Sequence, residues 1–490
     1  MNRSIVFYLL GIVMLPIFFG MLLSLGVGLY YEETLNEPSM VGLMCGLLVT
    51  CLMALLFRHL GRSGKDRIFR REALASVGLG WLLASLLGAI PLYIAIPQIG
   101  LADAFFEASS GITTTGATVL SGLDELSRAI LFWRGMMQWI GGLGVVVFFV
   151  ALLASLGAGA KILFSNESTG AASEFDQGRI QTVAAQIMWL YFGLSGLCFI
   201  AYRIAGMDGF DAIAHMFTTV STAGFSTRDG SIGSFESAAI EWVSIVFMVL
   251  GGITFVFTLR LLKGKNLSFA GNNEVYYYLL FLFIGGGVIG IINAFQGGAD
   301  SLHDIFRSAY FQTVSLATTT GFGTADYTLW LTPCQFILVI LMFIGGCSGS
   351  TSGGAKTIRI VIAAKAIYRS VHHAFRPHCL RPIRINKKVL EDSTVAGVVT
   401  YLMLLVFITL SSLMIISFLE PQMDKIDLLG AVQGTFFNIG PGFGSVGPTE
   451  TYGHLNPLTK CFLSFLMLLG RLELYAILVL MIPSFWRRYA

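Results

Sequence analysis

Residues 318–327 read TTTGFGTADY, and three other stretches echo them: TTTGAT at 113–118, STAGFST at 221–227 and FNIGPGFG at 437–444. Aligned on Gly116, Gly224, Gly321 and Gly440, the ten residues before each glycine are FEASSGITTT, AHMFTTVSTA, FQTVSLATTT and GAVQGTFFNI. Each is a short helix-compatible segment that ends in small polar residues. Thirteen residues before the glycine stands an aspartate in three of the four, Asp103, Asp211 and Asp427, and Ser308 in the other. Asp serves helix N-termini well, so these three are expected to cap short helices. Downstream comes a glycine pair, Gly141–Gly142, Gly251–Gly252 and Gly345–Gly346, replaced in the last copy by Gly470–Arg471. Spaced self-similarity of this kind is the signature of one unit copied along the chain.

The flanks of these stretches decide the solvent. The 490 residues are 55% apolar and only 12% charged, with mean hydropathy +0.76. Soluble domains carry about a quarter charged residues. Residues 5–29, 136–160 and 275–299 contain no Asp, Glu, Lys or Arg. About 20 apolar residues span the hydrocarbon core as helix, so the chain reads as a polytopic membrane protein. Ten spans are expected, at 5–29, 41–60, 73–97, 129–160, 182–206, 237–262, 275–295, 333–367, 394–419 and 457–486. Most Lys and Arg fall in alternate loops, including Arg58 to Arg71 and Lys356 to Lys388, which places both termini in the cytoplasm. The first span is too long and lacks the small-residue cleavage site of a signal peptide. A net charge of +3 offers no nucleic-acid surface. The seven cysteines include no C-x-x-C pair, and the histidines have no ligand spacing, so no metal centre or disulfide framework is expected.

Irregular backbone at membrane depth is tolerated where protein buries it or where it lines a water-filled path. Four parallel units, each starting and ending in the cytoplasm, would set four re-entrant loops around a pseudo-fourfold pore. The expected fold is all-α, with four helix–re-entrant loop–helix repeats after two extra N-terminal helices. Its divisions are 1–72, 73–181, 182–273, 274–392 and 393–490. A ring of such loops can aim backbone carbonyls at a dehydrated cation, and glycine supplies the dihedrals this requires. Inverted-repeat transporters need an odd helix count per unit, which the spans do not provide.

With GGCSGSTSGGAK at 345–356 and GRLEL at 470–474, the four loops resemble the TrkH-type members of the Trk/Ktr/HKT potassium-transporter superfamily over essentially the whole chain. The resemblance implies uptake of K⁺, with Rb⁺ also carried and Na⁺ more weakly, across a bacterial inner membrane. It also implies a homodimer with one pore per subunit, contact with membrane lipid, and a cytoplasmic nucleotide-binding regulator of the TrkA type. No enzyme activity and no cofactor are implied. Carried over by position, the filter would comprise Thr114, Thr115 and Gly116, then Thr222, Ala223 and Gly224. The third strand would be Thr319, Thr320 and Gly321, and the fourth Asn438, Ile439 and Gly440. Related carriers that favour Na⁺ resemble this pattern with serine at the first glycine; here all four are glycine.

The resemblance also makes the interruption at 345–356 a gate beneath the filter, with Gly345, Gly346, Gly349, Gly353, Gly354 and Lys356 in it. Gly349-x-x-x-x-Gly354 superficially resembles a phosphate loop, but an extra Ala355 precedes Lys356 and no strand leads in. Arg471 would cost about 2.5–3.5 kcal/mol against lipid, so it should face protein or the pore. The glycine positions it replaces a member of suggest close approach to the axis, which favours an electrostatic barrier below the filter. The other reading is a salt bridge to Glu473. The outer acids Asp103, Glu107, Asp211, Asp229, Asp300, Asp304, Asp326, Asp424, Asp427 and Glu450 either cap helices or gather cations. The basic segment 356–392 is the expected docking face for a regulator. An H⁺- or Na⁺-coupled symporter is the competing function, with Glu473 as its mid-span acid.

Overall fold

The computed structural model describes residues 2–61, 70–155, 177–264, 273–296, 301–379, 381–386 and 388–487. The chain opens with α1 (Arg3–Tyr30) and α2 (Pro38–Leu60). Asn2 caps α1 by accepting the Ser4 N–H at 3.1 Å, and Pro38 starts α2 where its missing N–H costs nothing. Next come α3 (Arg70–Ala95), the short α4 (Leu101–Ile112) and α5 (Arg128–Ser155). Then follow α6 (Gln177–Ile204), the short α7 (Gly209–Val220) and α8 (Ala238–Gly252), which breaks into α9 (Phe255–Leu262). The order recurs with α10 (Asn273–Gln296), α11 (Leu302–Ala317) and α12 (Thr332–Ile344), which breaks into α13 (Thr357–Phe375). It recurs once more with α14 (Asp392–Leu419), α15 (Lys425–Phe436) and α16 (Pro457–Arg471), which breaks into α17 (Tyr475–Leu478).

Among the described residues, six helices are long and apolar enough to cross a bilayer, or up to eight if each sharply bent pair counts as one. The chain is a multi-pass membrane protein. Two of the ten expected spans stand apart: α5 runs up to the undescribed residues 156–176, and the 333–367 span is split at 345–356. The expected basic cytoplasmic stretch 58–71 lies mostly outside the described residues. Asp300 does too. Two further spans read as single helices are not straight. The α8/α9 pair turns by 101° and the helix after Arg471 by 115°. Hydropathy reports which residues leave water; it carries no information about axis direction. The second bend is made by Glu473 and Leu474, both at positive φ (51° and 63°), a conformation non-glycine residues resist.

Burial sorts the elements. The short helices are the interior: Phe106, Ala108, Ala212, Phe311, Leu316 and Ala431 are at most 0% exposed. On α14, Met403, Phe407, Leu410, Met414 and Phe418 are all more than 60% exposed and form one apolar side of the helix. The segment expected as a basic loop at 356–392 is largely the helix α13, followed by a two-stranded hairpin, β1 (Arg384–Ile385) and β2 (Lys388–Val389). Arg384 pairs with Val389 and Ile385 with Lys388. Ile383, Ile385 and Leu390 pack on Ile358, Val361 and Ile362 of α13, and this apolar contact holds the hairpin to the helix. The all-helical expectation is corrected to that extent.

Candidate functional site: a ring of four Thr/Gly loops

The short helices α4, α7, α11 and α15 each carry an aspartate in the first turn: Asp103, Asp211, Asp304 and Asp427. In the third, helix α11 starts a turn earlier than alignment implied, so Ser308 lies within it and Asp304 takes the acidic position. The expected capping role holds for one of the three aspartates. Asp103 accepts the Gly100 N–H at 2.9 Å, whereas the caps of the others are Asp208 and Asp424. Asp211 reaches across to Thr227 Oγ1 (2.6 Å) and Arg228 (3.0 Å), and Asp427 to the Ser445 N–H (3.2 Å). On so short a helix a third-position carboxylate can reach the returning loop, and it ties that loop down.

At their C-termini the four helices end alike. Thr114 donates its N–H to Gly111 O (3.1 Å) and Thr115 to Ser110 O (2.9 Å). The pair recurs as Thr222 to Thr219 and Ala223 to Thr218, as Thr319 to Leu316 and Thr320 to Ser315, and as Asn438 to Thr435 and Ile439 to Gly434. This is the double closure of a Schellman end, whose left-handed residue is ordinarily glycine or asparagine. Here it is Thr114 (φ 52°), Thr222 (49°), Thr319 (58°) and Asn438 (55°). Three are β-branched, at a cost of about 1–3 kcal/mol each. Two residues on, Gly116, Gly224, Gly321 and Gly440 are left-handed again (84°, 84°, 83° and 99°). The alternating sign of φ turns successive carbonyls toward one side of each strand.

The strands close on one another. A Cβ on Gly116 would stand 2.1 Å from Ala223 O, on Gly224 1.9 Å from Thr320 O, on Gly321 2.0 Å from Ile439 O, and on Gly440 2.8 Å from Thr115 O. First loop touches second, second third, third fourth, and fourth first: the contacts form a closed cycle in which a side chain has no room. The four helix C-termini, each the negative end of a dipole, converge on this cycle. The twelve residues singled out from sequence are thus neighbours. The eight that are not glycine are buried, at 1% exposure or less; Gly440 is buried as well, and Gly116, Gly224 and Gly321 are half-buried. Facing the glycines is a cavity of about 230 Å³, lined by Gly116, Gly224, Gly321, Pro441, Asp229 and Glu450 among others.

Directly against the cycle lies the 345–356 break. Gly345 (φ 72°) stops α12, and the segment returns to start α13 after Lys356. Thr351 Oγ1 accepts from Thr222 Oγ1 (3.1 Å), Gly353 N–H donates to Thr319 Oγ1 (2.5 Å), and Gly354 N–H donates to Phe437 O (3.1 Å). The segment therefore bonds to three of the four loops. Lys356 Nζ donates to Ser352 O within the break. Arg471 Nη1 donates to Thr351 O at 2.7 Å, while its Nε and Nη2 are buried with no hydrogen-bond partner among the described residues. Glu473 pairs with Arg359 (2.7 Å), so the alternative of an Arg471–Glu473 bridge is replaced by a different one. The repeated glycines have another role than the expected approach to the axis. A Cβ on Gly141 would lie 2.0 Å from Ile112 O, and on Gly470 1.8 Å from Phe436 O. They let α5 and α16 press on the carboxyl end of the short helix in their own unit.

The family profile described as TrkH, cation transport protein, matches residues 47–283 and 298–488. The chain belongs to the TrkH family. It is 32% identical over 490 residues to the Trk system potassium uptake protein TrkH of Halomonas elongata, covering 100% of both chains. To the protein of that name from Escherichia coli K12 it is 35% identical over 429 residues, 87% of this chain and 88% of the other. The crystal structure of the potassium transporter TrkH from Vibrio parahaemolyticus matches with a TM-score of 0.88 at 30% identity, covering 99% of this chain and 100% of that one.

In this TrkH-family chain the far side of the ring is held by residues that pattern reading did not assemble. Glu107 and Arg134 form an ion pair at 2.7 Å with both side chains buried. Glu107 also accepts the Val119 N–H (3.0 Å), and Arg134 donates to Ser226 O (3.1 Å) with its guanidinium 4.2 Å from the Phe225 ring centre. Tyr452 donates to Gly440 O (2.8 Å) and Tyr327 to Gly442 O (2.7 Å). Gln138 donates to Ala223 O (2.8 Å) and accepts the Phe225 N–H (3.0 Å). A charged or amide side chain inside an apolar helix was the available signal; its partner, in another element, was not. Of the outer acids, Asp103 pairs with Lys460 (2.6 Å) and Asp304 with Arg307 (2.6 Å), so neither is free to gather cations.

Proposed function

We propose that this chain takes up potassium ions across the bacterial inner membrane through the Thr/Gly ring, with both termini in the cytoplasm. The closed cycle of four loops carries the reading: it is a backbone-lined aperture at the focus of four helix C-termini, the arrangement that replaces a cation's hydration shell with carbonyls. The relatives' name, potassium uptake protein, points to the same ion. The ring belongs to a pseudo-fourfold pore of four parallel repeats behind two N-terminal helices, ten crossings in all, divided at 1–72, 73–181, 182–273, 274–392 and 393–490. Thr114, Thr115 and Gly116 with their counterparts act as the filter. Residues 345–356, held up by Arg471, act as the gate. The chain works as a homodimer, and a TrkA-type nucleotide-binding regulator docks on the basic segment 356–392. No catalytic chemistry and no cofactor enter.

A symporter driven by H⁺ or Na⁺ needs a mid-membrane carboxylate free to cycle, and the ion pair from Glu473 to Arg359 disfavours it. Purified protein in liposomes decides. With K⁺, Rb⁺, Na⁺ and Li⁺ gradients and no proton gradient, downhill K⁺ and Rb⁺ flux should exceed Na⁺. Gly116→Ser must push Ala223 O, and the second loop with it, away from the first loop, and the K⁺ preference should fall. Flux that appears only under an imposed H⁺ or Na⁺ gradient would give the symporter first place.

A further inference from the structure

Three residues before the first glycine of each repeated pair stand Gln138, Met248, Met342 and Met467. All four are 0% exposed. Methionine fills such a place as an adaptable apolar body; it has no N–H to donate. The first copy alone has an amide there, and that amide does two things at once. Nε2 donates to Ala223 O at 2.8 Å and Oε1 accepts the Phe225 N–H at 3.0 Å, so Gln138 grips the second strand on both sides of Gly224. Ala223 O is also the carbonyl that lies against Gly116 across the first seam of the ring. Gln138 reaches it from α5, whose Gly141 presses on the carboxyl end of α4.

We infer that Gln138 is a positioning residue that sets ion preference by fixing the seam between the first two loops, and so makes the ring chemically unequal at one quadrant. This rests on the ring being the filter. The amide orients the Ala223 peptide, and a carbonyl has two lone pairs, so one stays available for a passing ion. With methionine in its place, the 223–225 strand is held there by apolar packing and can turn its carbonyl or spread from Gly116. A loosened seam lets its carbonyl close in on Na⁺ and penalises that ion less, because exclusion of the smaller ion depends on carbonyls held at a set distance.

The variant Gln138→Met installs what the other three copies carry. Full-length protein in liposomes is compared with wild type and Gly224→Ser, reading the K⁺/Na⁺ flux ratio together with the thermal midpoint in detergent. Two lost hydrogen bonds on one strand predict a drop in the ratio of about threefold or more, with K⁺ flux itself retained. An unchanged ratio in Gln138→Met beside an altered one in Gly224→Ser overturns the role of Gln138 and leaves the filter standing. Unchanged ratios in both overturn the filter reading. If Gln138→Met does not fold, Gln138→Leu is measured instead; it too has neither donor nor acceptor, and a ratio equal to wild type overturns the inference.

Discussion

Glu107 and Arg134 meet at 2.7 Å, with side-chain exposures of 0% and 1%. Neither charge can return to water if the other is lost, so the pair is worth far more as a constraint than its net attraction suggests. Around it hang Thr118, Val119 and Ser226, the residues just beyond Gly116 and Gly224. Glu107→Ala should therefore cost about 3–5 kcal/mol, seen as a lowered thermal midpoint in detergent, and the double replacement Glu107→Met with Arg134→Met should recover part of the loss. If the single change is neutral, the pair is not what holds the first two loops. At the same scale, Thr114, Thr222 and Thr319 sit at positive φ. Their surroundings over-determine a conformation that the isolated residues resist. Such strain belongs where a strand must be held in one shape.

The elements matter by where they stop. α8 ends at Gly252, α12 just before Gly345 and α16 just after Gly470, and three different continuations follow: a 101° bend, a twelve-residue excursion and a 115° bend. Only the excursion turns under the loops, and its bonds to Thr222, Thr319 and Phe437 close the ring from that side. Arg471 holds it through Thr351 O, one charge-assisted bond worth about 1.5–3 kcal/mol. Arg471→Ala removes the tether and, with it, a buried positive charge. Resting Rb⁺ flux into liposomes should rise about tenfold or more. Flux equal to wild type would end the barrier and tether reading together.

For the whole molecule, the distribution of Lys and Arg makes a claim about sidedness that chemistry can read directly. Cys379 is exposed just beyond α13, among Arg376, Arg381 and Arg384. In a variant keeping this cysteine alone, a membrane-impermeant maleimide should label inside-out vesicles and leave right-side-out vesicles unlabelled. The opposite result would invert the topology, and would remove 356–392 as a face for a cytoplasmic regulator. The exposed apolar side of α14 shows why sidedness needs charge: apolar residues are equally apolar in either orientation of the chain.

Membrane residence, the succession of units and the places to look were legible along the chain, because each is written in local composition. A bilayer demands long uncharged helices, and the four loops whose glycines lie against one another are four similar stretches of sequence. The family followed from the order of those motifs, and the resemblance agrees with the matched profile. What the tertiary structure alone decided is direction and pairing. Hydropathy could not see that spans bend at Ile253 and at Glu473, since an apolar residue is equally apolar on either side of a turn. In sequence Arg471 stands two residues from Glu473; the 115° bend lies between their helices, and each finds a partner in another element. Gln138 reads as one amide in an apolar helix until the fold brings Ala223 and Phe225 to it. A hydrogen bond is a relation between two places, and a sequence lists only one at a time.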